Sequence, residues 1–203
     1  MVRMLLSRRM SESTRGIVRR AAVAAYVVAA AGLAATVTII LFCASGQPWG
    51  TLNDIVLLVM TAAIPPLMLA FWELGGLTPT PLALVAQVSG WIAVIVWCVV
   101  QAFFIAGVLD FDYDHAAAGG LAVEAVALIV IGLWIAGANL LAGSWLNSVR
   151  WFGVAAGLGF VLLPMGLILG GVSHPLTYAG GVGYSIIFPV WAFLMGRHLT
   201  EMS

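Results

Sequence analysis

Residues 21–43 read AAVAAYVVAAAGLAATVTIILFC, a run without a single charged residue. A helix rises about 1.5 Å per residue and bilayer hydrocarbon is about 30 Å thick, so about 20 apolar residues suffice to cross it. This run meets that length. Its backbone N–H and C=O groups would find no water in hydrocarbon, so the segment must satisfy them internally, as a helix.

Working outward from it, five further runs have the same character: 54–72, 81–108, 116–141, 151–171 and 176–196. Turn-forming residues separate them, at Ser45-Gly46-Gln47-Pro48, Gly75-Gly76, Gly143-Ser144 and Ser173-His174-Pro175. The expected fold class is therefore all-α, a polytopic bundle of six transmembrane helices. The expected organisation is a basic N-terminal arm over 1–20 and a six-helix domain over 21–198. The first run is longer than the roughly 7–15 residues of a signal-peptide core, so it reads as a retained anchor.

Composition agrees. The chain is 63% hydrophobic and 8% charged, against about 25% charged in soluble domains. It needs the lipid bilayer as its solvent. Net charge is zero, lysine is absent and no basic tract is long enough to suggest nucleic acid, which is not an expected partner. Cys43 and Cys98 both lie in apolar stretches and read as small hydrophobes.

Arginine sets the expected orientation. Arg3, Arg8, Arg9, Arg15, Arg19 and Arg20 precede the first run, Arg150 separates the fourth from the fifth, and Arg197 follows the sixth. Six crossings bring all eight to one side, which the positive-inside rule makes the cytoplasm. Both termini are then cytoplasmic, in an inner or plasma membrane. Trp49, Tyr113 and Tyr178 fall at the outer helix ends, and Trp72, Trp145 and Trp151 at the inner ends, as interfacial aromatics do.

Polar groups in hydrocarbon are costly and mark candidate sites. Gln87, Cys98 and Gln101 share one stripe of the third helix, with Val94 between them. They read either as a polar seam along a solute path or as interhelical glue. Glu124 is the one carboxylate well inside a run, a candidate proton- or solute-binding group with His115 or His174 as candidate partners. Asp54, where the second run opens, joins this set. A second set is an outer-face polar cluster of Asp110, Asp112, Asp114, His115 and His174. Its spacing departs from a calcium loop, which needs Gly sixth and Glu twelfth where this chain has His115 and Leu121. No metal site and no cofactor are expected: no histidine pair lies inside the runs for haem, and no P-loop, G-x-S-x-G or H-E-x-x-H occurs.

Two further patterns bear on architecture. Gly153, Gly157, Gly166, Gly170, Gly180, Gly181 and Gly183 form small-residue faces suited to bundle packing or to a dimer. Pro65-Pro66 in the second helix and Pro164 in the fifth would be matched interruptions in a three-plus-three inverted repeat, although Pro189 in the sixth is unmatched.

Asn53-Asp54 opens the second helix ahead of its prolines. Trp151-Phe152-Gly153, Tyr184, Pro189-Val190-Trp191 and Gly196-Arg197 mark the C-terminal third. In these features the chain resembles an uncharacterised family of bacterial six-helix integral membrane proteins, a domain of unknown function. The resemblance implies a bacterial cytoplasmic membrane and six helices, and no activity.

The expected function is accordingly that of a multi-pass membrane protein without a catalytic centre, serving as an accessory or structural subunit beside other membrane subunits or its own copies. The alternative is a small-solute or proton-coupled transporter using a polar seam around Glu124, Gln87 and Gln101.

Overall fold

The computed structural model describes residues 12–74, 80–109, 120–142 and 146–203. Eight α-helices occur among them: α1 (Glu12–Ser45), α2 (Trp49–Ala62), α3 (Ile64–Leu74), α4 (Pro81–Ile105), α5 (Gly120–Leu141), α6 (Asn147–Gly170), α7 (Pro175–Val182) and α8 (Phe188–Met202). A short 3-10 turn (Gly171–Ser173) links α6 to α7, and a π-turn (Gly183–Ile187) links α7 to α8. There is no strand among the described residues.

Six helical stretches are long and apolar enough to cross a membrane: α1, α2 with α3, α4, α5, α6, and α7 with α8. The protein is an all-α membrane bundle of six spans. Some boundaries move. The first helix starts at Glu12 and runs through residues 12–20 of the expected arm, with Val18 buried and Arg15, Arg19 and Arg20 exposed. The second starts at Trp49, because Gln47 Oε1 accepts from the Thr51 amide and hydroxyl, both at 3.2 Å, and satisfies the first turn.

Each span packs on its sequence neighbours, and α8 returns to α1, so the spans form a closed ring. Glycine lets the backbones approach. On α5 and α6, a Cβ at Gly132 or Gly157 would meet the other residue's carbonyl oxygen, at 2.6 and 2.5 Å. Gly159 on α6 faces Gly183 of the π-turn in the same way, and Gly180 faces Leu163. Gly157, Gly159, Gly180 and Gly183 of the fifth and sixth spans thus pack inside the bundle.

The prolines act unequally. Pro65 and Pro66 have no amide proton, and the second span breaks at Ala63 between α2 and α3. Pro164 lies within α6, which continues unbroken to Gly170. The irregular backbone of the second half sits instead in the sixth span, at the π-turn ahead of Pro189. The matched interruption expected of an inverted repeat is absent. Pro189 cannot donate to the carbonyl of Ser185 four residues before it, and Thr36 Oγ1 of α1 supplies that bond at 2.9 Å. The Pro189 ring also packs against Gly32, whose missing side chain makes the room.

The centre of the ring is filled at the end nearer the termini. Trp134, Phe71, Trp191, Phe188, Phe160 and Trp97 form a continuous series of ring contacts, with centroids 4.7–6.2 Å apart. Trp97 is 0% and Trp191 1% exposed. This cluster is a dry plug. The other half of the ring, away from the termini, is where the cavities lie.

Candidate solute-binding site

Three indoles of the plug each use their one N–H on a polar side chain of a different span. Trp97 donates to Glu124 Oε1 at 3.0 Å, Trp134 to Gln87 Oε1 at 3.0 Å, and Trp191 to Asn139 Oδ1 at 3.3 Å. A buried tryptophan needs such an acceptor. These pairings were not read from the sequence. The signal was nonetheless there, since Trp97 and Gln101 stand one helical turn apart on the face that meets α5.

Glu124 lies one turn into α5, half-buried. Its Oε1 also accepts from Gln101 Nε2 at 2.7 Å. Both donors come from α4, and both end on the same oxygen. Gln101 is only 1% exposed, yet its Oε1 has no hydrogen-bond partner. A buried acceptor without a donor is costly, and it marks where a donor belongs.

Two cavities meet at Glu124. The polar one, about 260 Å³, lies among the first four spans and is lined by Gln47, Thr51, Asn53, Asp54, Gln101 and Glu124, with Phe42, Leu57 and Phe104. Asp54 and Glu124 therefore place two carboxyl groups on one space. Asn53 is fixed beside them by Thr38, whose hydroxyl donates to Asn53 Oδ1 at 3.0 Å. The apolar one, about 300 Å³, is lined by Ala35, Ile39, Leu57, Leu128, Leu163, Pro164 and Leu167, with Thr36, Asn53, Tyr184 and Glu124 at its polar margin. Among the described residues, no Arg, Lys or His lines either cavity. The described walls offer acceptors and two carboxyl groups, which suit a ligand that brings donors and positive charge.

The expected residues divide. Glu124, Gln101 and Asp54 come together at the polar cavity. Gln87 does not. It is 14 residues from Gln101 on the same face of α4, about 21 Å along the axis. Its amide is spent on Met68 O, at 3.3 Å, and on the Trp134 indole, and it lines neither cavity. The single polar seam is two sites, one at a cavity and one dry. His174 is no partner of Glu124: its Nδ1 accepts from the Leu176 amide at 3.3 Å and caps α7. Asp110, Asp112, Asp114 and His115 lie outside the described residues. No cluster of three or more metal-ligating side chains occurs among the described residues.

Fold and site together define a polytopic helical membrane protein with an internal acidic cavity. No family model, no curated protein and no solved structure matches the chain.

Proposed function

We propose that the chain is a small membrane carrier of cationic solutes, with Glu124 as the binding carboxylate and proton exchange at the same group. One observation carries this reading. Glu124 is braced by two donors on one oxygen while it borders both cavities, with the unpartnered Gln101 Oε1 beside it. A carboxylate that served only as interhelical glue would be closed off by its partners, as Gln87 and Asn139 are. Ionisable groups inside a span that face a cavity mark solute and proton paths. The plug of aromatic rings below gives such a carrier its closed side.

The accessory-subunit reading rests on the low charge and the glycine-rich faces, of which Gly132 packs on Gly157 and Gly159 on Gly183 within the chain. The arginine asymmetry and the resemblance to bacterial six-helix proteins support a bacterial cytoplasmic membrane with the termini inside. In that orientation the cavities belong to the outer half.

Guanidinium tests the proposal, because it is a permanent small cation with N–H donors and crosses bare bilayers slowly. Proteoliposomes should take up labelled guanidinium above protein-free vesicles, and Glu124→Gln should reduce uptake at least tenfold. Equal uptake by wild type and Glu124→Gln would reject the role of Glu124.

A further inference from the structure

The two cavities differ in kind, and each reaches Glu124 from its own direction. The polar cavity runs from Glu124 along α2 and α4 to Gln47, Thr51 and Gly107 at the ends of the helices. The apolar cavity runs sideways. Its walls are the far half of α1, through Ala35, Thr36 and Ile39, and the start of the sixth span, through Thr177, Gly181 and Ser185. The first and sixth spans are joined at Thr36 and Ser185. Below that point α1 packs along α8, and beyond it α1 does not pack along α7. The gap between them is a window in the ring. Ile168 and Val172, 48% and 58% exposed, stand on the fifth span at its edge and belong to the surface that faces hydrocarbon. Gly181 lies in the window, and a Cβ built on it meets nothing within 4 Å.

Resting on the carrier reading, we propose that the substrate is an amphipathic organic cation, a protonated amine or guanidine bearing one apolar group. It is admitted sideways from the bilayer between the first and sixth spans, and its N–H groups face the Glu124 carboxylate and Gln101 Oε1.

The chemistry of the walls selects this class. Leu57, Leu128, Leu163, Pro164 and Leu167 offer the apolar body a dry surface, and they stand next to Glu124, whose carboxylate both cavities share. A volume of about 300 Å³ is the lower bound of ordinary small-molecule pockets and holds one ring or short alkyl group. A purely hydrophilic cation would leave that surface unused. An aminophospholipid shares the ammonium group but brings a phosphate, and among the described residues neither cavity has a cationic side chain to receive one. Partition into the bilayer concentrates an amphipathic cation near the window.

Guanidinium and benzylguanidinium carry the same head and differ only in the ring, so they isolate the claim. In phosphatidylcholine proteoliposomes, with protein-free vesicles subtracted, wild type should bind benzylguanidinium at least tenfold more tightly than guanidinium. Burial of one aromatic side chain is worth about this much. Gly181→Leu should fill the window and abolish the tenfold preference, while the guanidinium uptake that remains still depends on Glu124. Gly137→Leu is the matched control, because a Cβ at Gly137 on α5 also meets nothing and Gly137 lines neither cavity. It should retain the preference. Glu124→Gln should lose both ligands. If guanidinium uptake depends on Glu124 but benzylguanidinium shows no preference, or if Gly181→Leu keeps the preference, sideways admission is wrong and the carrier reading stands. If neither ligand depends on Glu124, both fall. A phosphatidylethanolamine that native mass spectrometry finds on wild type and not on Glu124→Gln would make the occupant a lipid and overturn the free-cation assignment.

Discussion

Trp97 and Glu124 stand on adjacent spans and share one hydrogen bond, indole Nε1 to carboxylate Oε1, 3.0 Å long. The ring of Trp97 belongs to the dry plug, 5.9 Å from Phe160. Its N–H points at the group that borders both cavities. This one side chain therefore ties the closed half of the bundle to the site. Trp97→Phe keeps the ring and removes the donor. It should cost about 0.6–2 kcal/mol of stability, the span of interhelical hydrogen bonds in membranes. It should also lower guanidinium uptake, because only Gln101 then orients the carboxylate. Reversible unfolding in bicelles beside proteoliposome uptake checks both. Wild-type values in both assays would show that the bond positions nothing.

Gln87 should separate structure from transport. Gln87→Leu strands the Trp134 N–H in a dry contact, at a cost of about 1–3 kcal/mol. Adding Trp134→Phe removes the stranded donor and should recover part of that loss. Guanidinium uptake per folded molecule should match wild type in both variants. An uptake defect in Gln87→Leu at full folding would restore Gln87 to the solute path.

The glycine contacts predict a contrast between two similar changes. At Gly157 a side chain meets the Gly132 carbonyl and Ala136. Gly157→Leu should cost about 3 kcal/mol or more and leave little folded protein on size exclusion, since backbones and not flexible side chains would have to move. Gly181→Leu should elute as wild type does.

Thr36→Val keeps the shape and removes the hydroxyl that reaches Ser185 O. Pro189 offers no amide in its place. The junction of the first and sixth spans should loosen by about 1 kcal/mol, read as faster amide exchange across residues 182–188. Unchanged exchange there would mean that the π-turn is held by packing alone.

Hydropathy made the six spans legible, because hydrocarbon forces every oily run of this length into a helix. Glu124 and Gln101 were legible for the same reason, as polar side chains with nowhere to hide. Their pairing was not. Helical periodicity places Gln87 and Gln101 on one face but is silent on depth, and a separation of about 21 Å puts one in the plug and the other at a cavity. Histidine is the familiar partner for a carboxylate, so His174 drew attention that belonged to Trp97, whose N–H is easily overlooked in an apolar run. Pro164 has the same covalent chemistry as Pro189, yet only the sixth span is distorted. That difference depends on neighbours such as Gly32 and Thr36, which come from the far end of the chain.

The account stands or falls on whether Glu124 faces an accessible space while Gln87 does not. Cysteine reactivity measures this directly. In a background with Cys43 and Cys98 replaced, Glu124→Cys and Gln87→Cys would be treated in proteoliposomes with a small methanethiosulfonate cation. Rapid modification is expected at position 124 and none at position 87. An inert position 124, or equal reaction at both, would contradict the account.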